Sequence, residues 1–322
     1  MAFDYTIMKP IRAYYPILKW TILILSYGFL VYKIVEFIHS PASKADWFDL
    51  SWHRWGWLLI TIILLPVNLG IEAIKWRFLV SKIEPISLTT AFKSLFSGIA
   101  TGFFTPNRLG EYPGRVIYLQ SGNRWKGITF GLIGTMAQSI TLLSFGLLSF
   151  WLLMVHNPFE NLKNDIMRTI IFVTATALSF VVYLSLPKLV WLLRRFHIHT
   201  KMMIWLRWLT SFRTRELTII LLLAISRYFV FCIQFYFMLL FCSIDLPFLH
   251  GMIAIAAYYL FITFTPSISF SEAAIRGSYA VMFIGIFTAN TITAATAGVL
   301  IWFINAVIPM IIGSVFFSKT KL

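Results

Sequence analysis

Residues 104–119 read FTPNRLGEYPGRVIYL, and this polar stretch lies between long apolar runs. It contains two prolines, two glycines, one glutamate and two arginines. Charges and helix-breaking residues are costly inside a bilayer unless protein or a water-filled cavity surrounds them. The stretch therefore predicts a broken membrane helix whose charged side chains face a polar interior.

A shorter version of the same pattern occurs in the second half of the chain. The two Thr-Pro pairs are 160 residues apart, about half the chain, and in each copy an arginine follows a glutamate by four residues. A broken, charged element in each half is typical of transporters built from inverted repeats. The first copy comprises Thr105, Pro106, Glu111 and Arg115, and the second comprises Thr265, Pro266, Glu272 and Arg276.

Composition places the chain in the membrane. Of its 322 residues 59% are hydrophobic and only 12% are charged, whereas soluble domains carry about 25% charged residues. The formal net charge of +15 fits Lys and Arg in cytoplasmic loops that contact anionic lipids, so we expect no nucleic-acid partner. The sequence predicts an all-α integral membrane protein.

Residue types for metal or cofactor chemistry are sparse. The two cysteines, Cys232 and Cys242, lie in or beside one apolar run, and the six histidines are scattered. Neither group has the spacing of a metal site, and the chain lacks a phosphate-binding loop for ATP. We therefore expect no metal and no cofactor.

Hydropathy and loop charge predict six full crossings and two re-entrant hairpins. The hairpins are expected at 88–122 and 249–287, because their apolar limbs are short and end at the breaks. Re-entry at 88–122 also keeps the basic residues Arg124 and Lys126 in the cytoplasm. The six predicted spans cover residues 17–38, 55–74, 127–155, 166–186, 217–241 and 292–317.

These elements divide the chain into two membrane repeats, residues 1–156 and 157–322. Residues 187–216 are rich in Lys, Arg and Trp and predict amphipathic helices on the inner surface. Both termini are expected in the cytoplasm. The oligomeric state is left open by the sequence.

The two hairpin tips are expected to bring Glu111, Arg115, Glu272 and Arg276 to one midplane cavity. Within each hairpin the Glu and Arg share a helix face and can neutralise each other. Arg108 has only Glu111 as a partner nearby in sequence, and its guanidinium suits a phosphate group. The alternative is that these residues form structural ion pairs where the helices break.

Two further groups complete the candidate site. Asn68, Glu72 and Lys75 lie near the end of the second predicted span, where Glu72 is either an acid facing the cavity or half of an interfacial salt bridge to Lys75. The residues expected to set the turns, as structural hinges, are Pro106, Gly110 and Pro266.

The run Pro106-Asn107-Arg108-Leu109-Gly110-Glu111, followed by Arg115 and Leu119, resembles the transmembrane domain of the lysylphosphatidylglycerol synthase family. That flippase-like family also forms the membrane half of the multiple peptide resistance factor. Asn68 and Glu72 before Trp76 are similar to the family's second span. The resemblance covers nearly the whole chain, although residues 267–271 read Ser-Ile-Ser-Phe-Ser where the family is glycine-rich. Because no soluble lysyl-transfer domain is expected, the resemblance does not imply aminoacylation.

Together, these observations predict a lipid flippase-like transporter in the bacterial cytoplasmic (inner) membrane. It would move an anionic phospholipid or an isoprenoid-phosphate lipid between leaflets, with anionic membrane lipids as further partners. Two alternatives from other classes stay open: a membrane-embedded transferase acting on a lipid phosphate, and a membrane subunit that does not transport.

Overall fold

The computed structural model describes residues 54–103, 105–156, 166–188, 211–267 and 269–318, with single positions at 28, 31, 32, 35, 52 and 208. Across these residues the regular structure is helical, with no strand. The predicted first span at 17–38 and most of the predicted surface helices at 187–216 lie outside the described residues.

Five helices form the described part of the first half. They are α1 (Arg54–Val80), α2 (Leu88–Phe103), α3 (Glu111–Val116), α4 (Arg124–His156) and α5 (Ile166–Leu184). The 3-10 turn Pro106–Arg108 joins α2 to α3.

The second half repeats this order of a long helix, a hairpin and a long helix. Its helices are α6 (Thr214–Phe241), α7 (Phe248–Phe264), α8 (Ser269–Ile284), α9 (Thr291–Trp302) and α10 (Ile308–Ser318). A five-residue π-helical turn, Phe303–Val307, joins α9 to α10.

Among the described residues, four helical stretches are long and apolar enough to cross a membrane: Arg54–Val80, Ser121–Met154, Thr214–Phe241 and Thr291–Ser318. Ile170–Leu184 and Phe248–Phe264 are shorter apolar helices. The prediction of an all-helical integral membrane protein is confirmed. The count of six crossings stays a prediction.

The first break makes a tight helical hairpin, because α3 folds back onto α2. A Cβ added to Gly98 would lie 2.5 Å from Cγ of Arg115 and 2.9 Å from the carbonyl oxygen of Glu111. A Cβ on Gly114 would collide with Oγ1 of Thr101 and lie 2.9 Å from Cα of Gly98. Glycine at these positions therefore lets the two backbones touch.

We expect Gly114→Ala to destabilise the chain by about 1–3 kcal/mol, because the added methyl group overpacks this contact. The measurement is thermal unfolding of the purified protein in detergent. Gly56→Ala is the matched control, since Gly56 is also helical and a Cβ there would meet nothing within 4 Å. Equal unfolding temperatures for the two variants would contradict the close packing of α2 and α3.

The second break also reverses the chain, and the two hairpin tips meet. Along the second hairpin, the hydroxyl groups of Thr265 and Tyr279 are 2.8 Å apart. At the tips, the backbone N–H of Asn107 donates to the carbonyl oxygen of Ser267 at 3.0 Å. The N–H of Ser267 donates in turn to Oδ1 of Asn107 at 2.9 Å. Residues 160 positions apart are thus joined directly.

The two long helices α1 and α6 lie antiparallel and are joined at both ends. At one end Nη2 of Arg54 lies 3.0 Å from Oδ2 of Asp245, and at the other Nζ of Lys82 lies 2.7 Å from Oε2 of Glu216. Large apolar side chains fill the core beside this pair, including Trp76, Leu95, Phe235 and Tyr258. The α1–α6 pair is the frame against which both hairpins pack.

Candidate functional site

A cavity of about 320 Å³, with both charged and apolar residues in its wall, lies between the α1–α6 pair and the two hairpins. Its walls come from α1, both hairpins, α4, α6 and the α9–α10 junction. The charged residues that line it are Glu72, Lys75, Arg108, Glu111, Arg115, Arg227 and Arg276.

Glu72 lies at the centre of one ion cluster. Its carboxylate lies 2.7 Å from Nζ of Lys75, 2.7 Å from Nη1 of Arg115 and 2.9 Å from Nη1 of Arg227. The side chains of Glu72 and Lys75 are only 4% and 3% exposed. The predicted salt bridge to Lys75 is therefore present and buried, and Glu72 also lies in the wall of the cavity.

Arg115 is held from two sides. Besides Glu72, it forms an ion pair with Glu111, one helical turn earlier on α3. Its guanidinium also lies 5.8 Å from the ring centroid of Trp76, a distance typical of a cation–π contact. Two carboxylates and an aromatic ring fix this arginine, so it is part of the rigid wall.

Arg108 crosses to the other hairpin. Its Nε and Nη2 donate to the two carboxylate oxygens of Glu272, at 3.1 and 2.8 Å. Nε1 of Trp302 donates to the same carboxylate at 2.7 Å. The sequence predicted only Glu111 as a partner for Arg108, because Glu272 is 164 positions away along the chain.

Backbone conformation directs Arg108 across the gap. Asn107 has φ of 50° and Arg108 has φ of 57°. Asn tolerates this left-handed region, whereas for most L-residues it costs about 1–2 kcal/mol. The hydrogen bonds between the tips and the ion pair to Glu272 hold this conformation in place.

The expected pairing within the second hairpin is loose. Nε of Arg276 lies 4.0 Å from Oε2 of Glu272. Within the described part of the chain, this buried Nε has no hydrogen-bond partner. The two hairpins therefore differ, since Arg115 has close ion pairs to two carboxylates whereas Arg276 has, among the described residues, only this one contact at 4.0 Å to a carboxylate.

Other polar atoms at the cavity also lack partners among the described residues. They include Nδ2 of Asn68, Nε of Arg115, Oε1 of Gln138 and the hydroxyl group of Tyr228. Buried polar atoms normally have a hydrogen-bond partner, which is a ligand or water where protein does not supply it. These atoms offer hydrogen-bond donors and acceptors inside the cavity.

The predicted hinge residues lie at the turns. Pro106 opens the 3-10 turn between α2 and α3, and Pro266 lies between α7 and α8. A Cβ on Gly110 would lie 2.5 Å from the carbonyl oxygen of Thr101 and 2.8 Å from Cγ2 of Thr105. Only glycine fits this position at the tip.

The structure brings together all seven predicted substrate-binding residues, and three of them are arginines that contact the other three charged ones, Glu72, Glu111 and Glu272. Asn68 joins the set through Arg227, whose Nε donates to Oδ1 of Asn68 at 3.0 Å. Sequence reasoning missed Arg227 and Trp302. Arg227 carried a usable signal, since an arginine inside an apolar predicted span marks a functional interior. Trp302 carried none.

The charged hairpins and their common cavity can be compared with known proteins. The family model described as the lysylphosphatidylglycerol synthase TM region matches residues 13–313. The chain belongs to this family. The match includes every charged residue of the cavity, and it confirms the resemblance that residues 106–119 indicated. No curated protein and no solved structure matches this chain.

Among the described residues of the chain, no group of three or more His, Cys, Asp and Glu residues could hold a metal ion.

Proposed function

We propose that this lysylphosphatidylglycerol synthase TM-region chain translocates an anionic lipid between the leaflets of the bacterial cytoplasmic membrane. The observation that carries the proposal is the excess of positive charge in the cavity. Five cations, counting Lys75 and four arginines, meet three carboxylates, counting Glu272. Two positive charges are therefore left over for a phosphate group.

The depth of the cavity supports this function. Arg227 lies 13 residues after the start of α6 and 14 before its end, so it is about 20 Å from either end of a helix that rises about 1.5 Å per residue. In a helix that spans the bilayer, this position is near the midplane. A charged headgroup crossing there needs such a site, because bare hydrocarbon excludes it.

The volume of the cavity suits a headgroup and not a whole lipid. At about 320 Å³ it is at the small end of the range for small-molecule sites. We infer that the acyl tails stay in the bilayer while the headgroup passes through the cavity. The six crossings, the two re-entrant hairpins and the inverted repeat are parts of this proposal.

Alternating access would come from movement of the hairpins against the α1–α6 pair. Ion pairs hold α1 and α6 at both ends, and Glu72 binds Arg227 between them. The hairpins, in contrast, are joined to each other by two hydrogen bonds between Asn107 and Ser267 and by one ion pair, Arg108–Glu272. Glu111 and Glu272 are the proposed proton carriers if transport is coupled to protons.

Cross-linking distinguishes the moving parts from the fixed ones. We expect a disulfide between Asn107→Cys and Ser267→Cys to stop transport until a reductant is added. The matched disulfide between Lys82→Cys and Glu216→Cys is expected to leave transport intact, because that contact stays closed. The native cysteines are buried, so the introduced pairs are oxidised first. If the Lys82–Glu216 disulfide stopped transport and the Asn107–Ser267 disulfide did not, the α1–α6 pair would be the moving part and the hairpins the fixed part.

A leaflet-sidedness assay in liposomes tests the function itself. Purified protein is reconstituted with a fluorescent phosphatidylglycerol, and the fraction accessible to an external quencher is followed over time. We expect transport without any covalent product. A modified lipid would favour a transferase, and neither transport nor product would favour a non-transporting subunit.

A further inference from the structure

The carboxylate of Glu272 binds Arg108 in the same way that a phosphate group would bind it. The carboxylate spans Nε and Nη2 of Arg108 at 3.1 and 2.8 Å, which is the two-pronged arrangement that arginine offers to phosphate oxygens. The side chain of Arg108 is 35% exposed, whereas that of Glu272 is 10% exposed. An arriving phosphate can therefore reach Arg108 but finds it already occupied.

Glu272 has a second cation within reach. Arg276 is one turn later on α8, and its Nε lies 4.0 Å from Oε2 of Glu272. Glu and Arg at this spacing share a helix face. A small rotation of the carboxylate side chain would close the contact and satisfy the unpartnered Nε of Arg276.

The first hairpin offers no such exchange. Arg115 is already in close contact with both Glu72 and Glu111, so a move of either carboxylate would not close a longer contact to it. The two hairpins share the Glu-to-Arg spacing. Only in the second does the glutamate bond an arginine of the opposite hairpin while it lies 4.0 Å from the arginine of its own.

We propose that Glu272 stands in for the lipid phosphate at Arg108 and moves to Arg276 when the phosphate binds. This inference rests on the proposed lipid translocation. The carboxylate keeps a cation in both states, so no buried charge is left unpaired. Its return to Arg108 displaces the phosphate, which limits the affinity and lets the headgroup leave. Glu272 is thus a positioning residue that sets substrate affinity, and Arg276 is the residue that receives it.

The first test removes the competing carboxylate. Glu272→Gln is expected to bind short-chain phosphatidylglycerol about tenfold more tightly in detergent, because the amide competes only weakly for Arg108. The same variant should transport more slowly in liposomes, with a lower half-saturating lipid concentration, since release is no longer assisted. Tighter binding with slower transport is an outcome that a purely structural ion pair would not give. Unchanged binding by a folded Glu272→Gln would overturn the exchange.

The second test asks whether Arg276 acts through Glu272. Arg276→Gln alone should weaken lipid binding, because Glu272 then has no alternative to Arg108. In the Glu272→Gln background the same change should have little effect, so the two changes are not additive. An equal loss of affinity in both backgrounds would mean that Arg276 contacts the lipid directly, and the exchange would be wrong.

Controls separate this inference from the proposed function. Asp245→Asn changes an acid to an amide in an arginine–carboxylate pair outside the cavity and should leave lipid binding unchanged. Glu272→Asp replaces Glu272→Gln if the latter does not fold, and its shorter reach should also tighten binding.

Inorganic phosphate is titrated in parallel. If wild type binds phosphate but no lipid, the lipid function fails while the exchange at Arg108 stands. If the wild type binds and transports lipid and the Glu272 and Arg276 variants have the same affinity and transport rate, only the exchange is wrong.

Discussion

Glu72→Gln is expected to lower the free energy of unfolding by about 3–5 kcal/mol, because it leaves buried cations without their counter-ion. Glu72 is 3% exposed and binds Lys75, Arg115 and Arg227 at once. Glutamine has nearly the same size, so the effect reports the lost charge and not a cavity. The measurement is unfolding of the purified protein in detergent by heat or denaturant.

Two further variants make this prediction specific. Asp245→Asn breaks an ion pair whose carboxylate side chain is 65% exposed, and exposed pairs contribute about 1 kcal/mol or less. Adding Lys75→Met to Glu72→Gln removes one of the stranded cations and should restore part of the lost stability. A Glu72→Gln protein as stable as the Asp245→Asn protein would show that the cluster is not a buried electrostatic unit.

Arg108→Ala is expected to reduce the rate of transport of fluorescent phosphatidylglycerol by about tenfold to a hundredfold. This factor corresponds to the free energy of a bidentate hydrogen bond between an arginine and a phosphate group. The loss has two physical causes. The phosphate loses the most accessible guanidinium in the cavity, and Glu272 loses its main cation. The liposome sidedness assay measures the initial rate against protein-free vesicles.

The matched control for Arg108 is Arg77→Ala, which removes an exposed arginine from α1 away from the cavity. It lowers the net charge by the same amount and should leave the transport rate unchanged. Arg108→Lys keeps the charge but loses the planar fork, so an intermediate rate is expected. A rate for Arg108→Ala equal to that of Arg77→Ala would remove Arg108 from the path of the headgroup.

Sequence alone located most of the elements. The apolar run at 217–241 became α6 (Thr214–Phe241), and 249–264 became α7 (Phe248–Phe264). Both charged breaks became hairpin turns, at Pro106 and Pro266. These features are local, because hydropathy and proline act within a few residues of their own position.

The sequence also suggested pairs that are close along one helix. Glu111 with Arg115 and Glu72 with Lys75 are both present in the structure. It did not suggest that Arg108 bonds Glu272, or that Arg227 joins Glu72 from a helix in the other half. Partners 164 and 155 positions apart depend on how the helices pack.

The sequence by itself therefore determined a helical membrane chain with one broken, charged element in each half. Only the tertiary structure decided which charge neutralises which. The physical reason is that a buried charge is stabilised by a counter-ion close to it in space, whatever the separation of the two residues along the chain. The loose contact between Glu272 and Arg276 follows from the position of Arg108, which reaches across from the opposite hairpin.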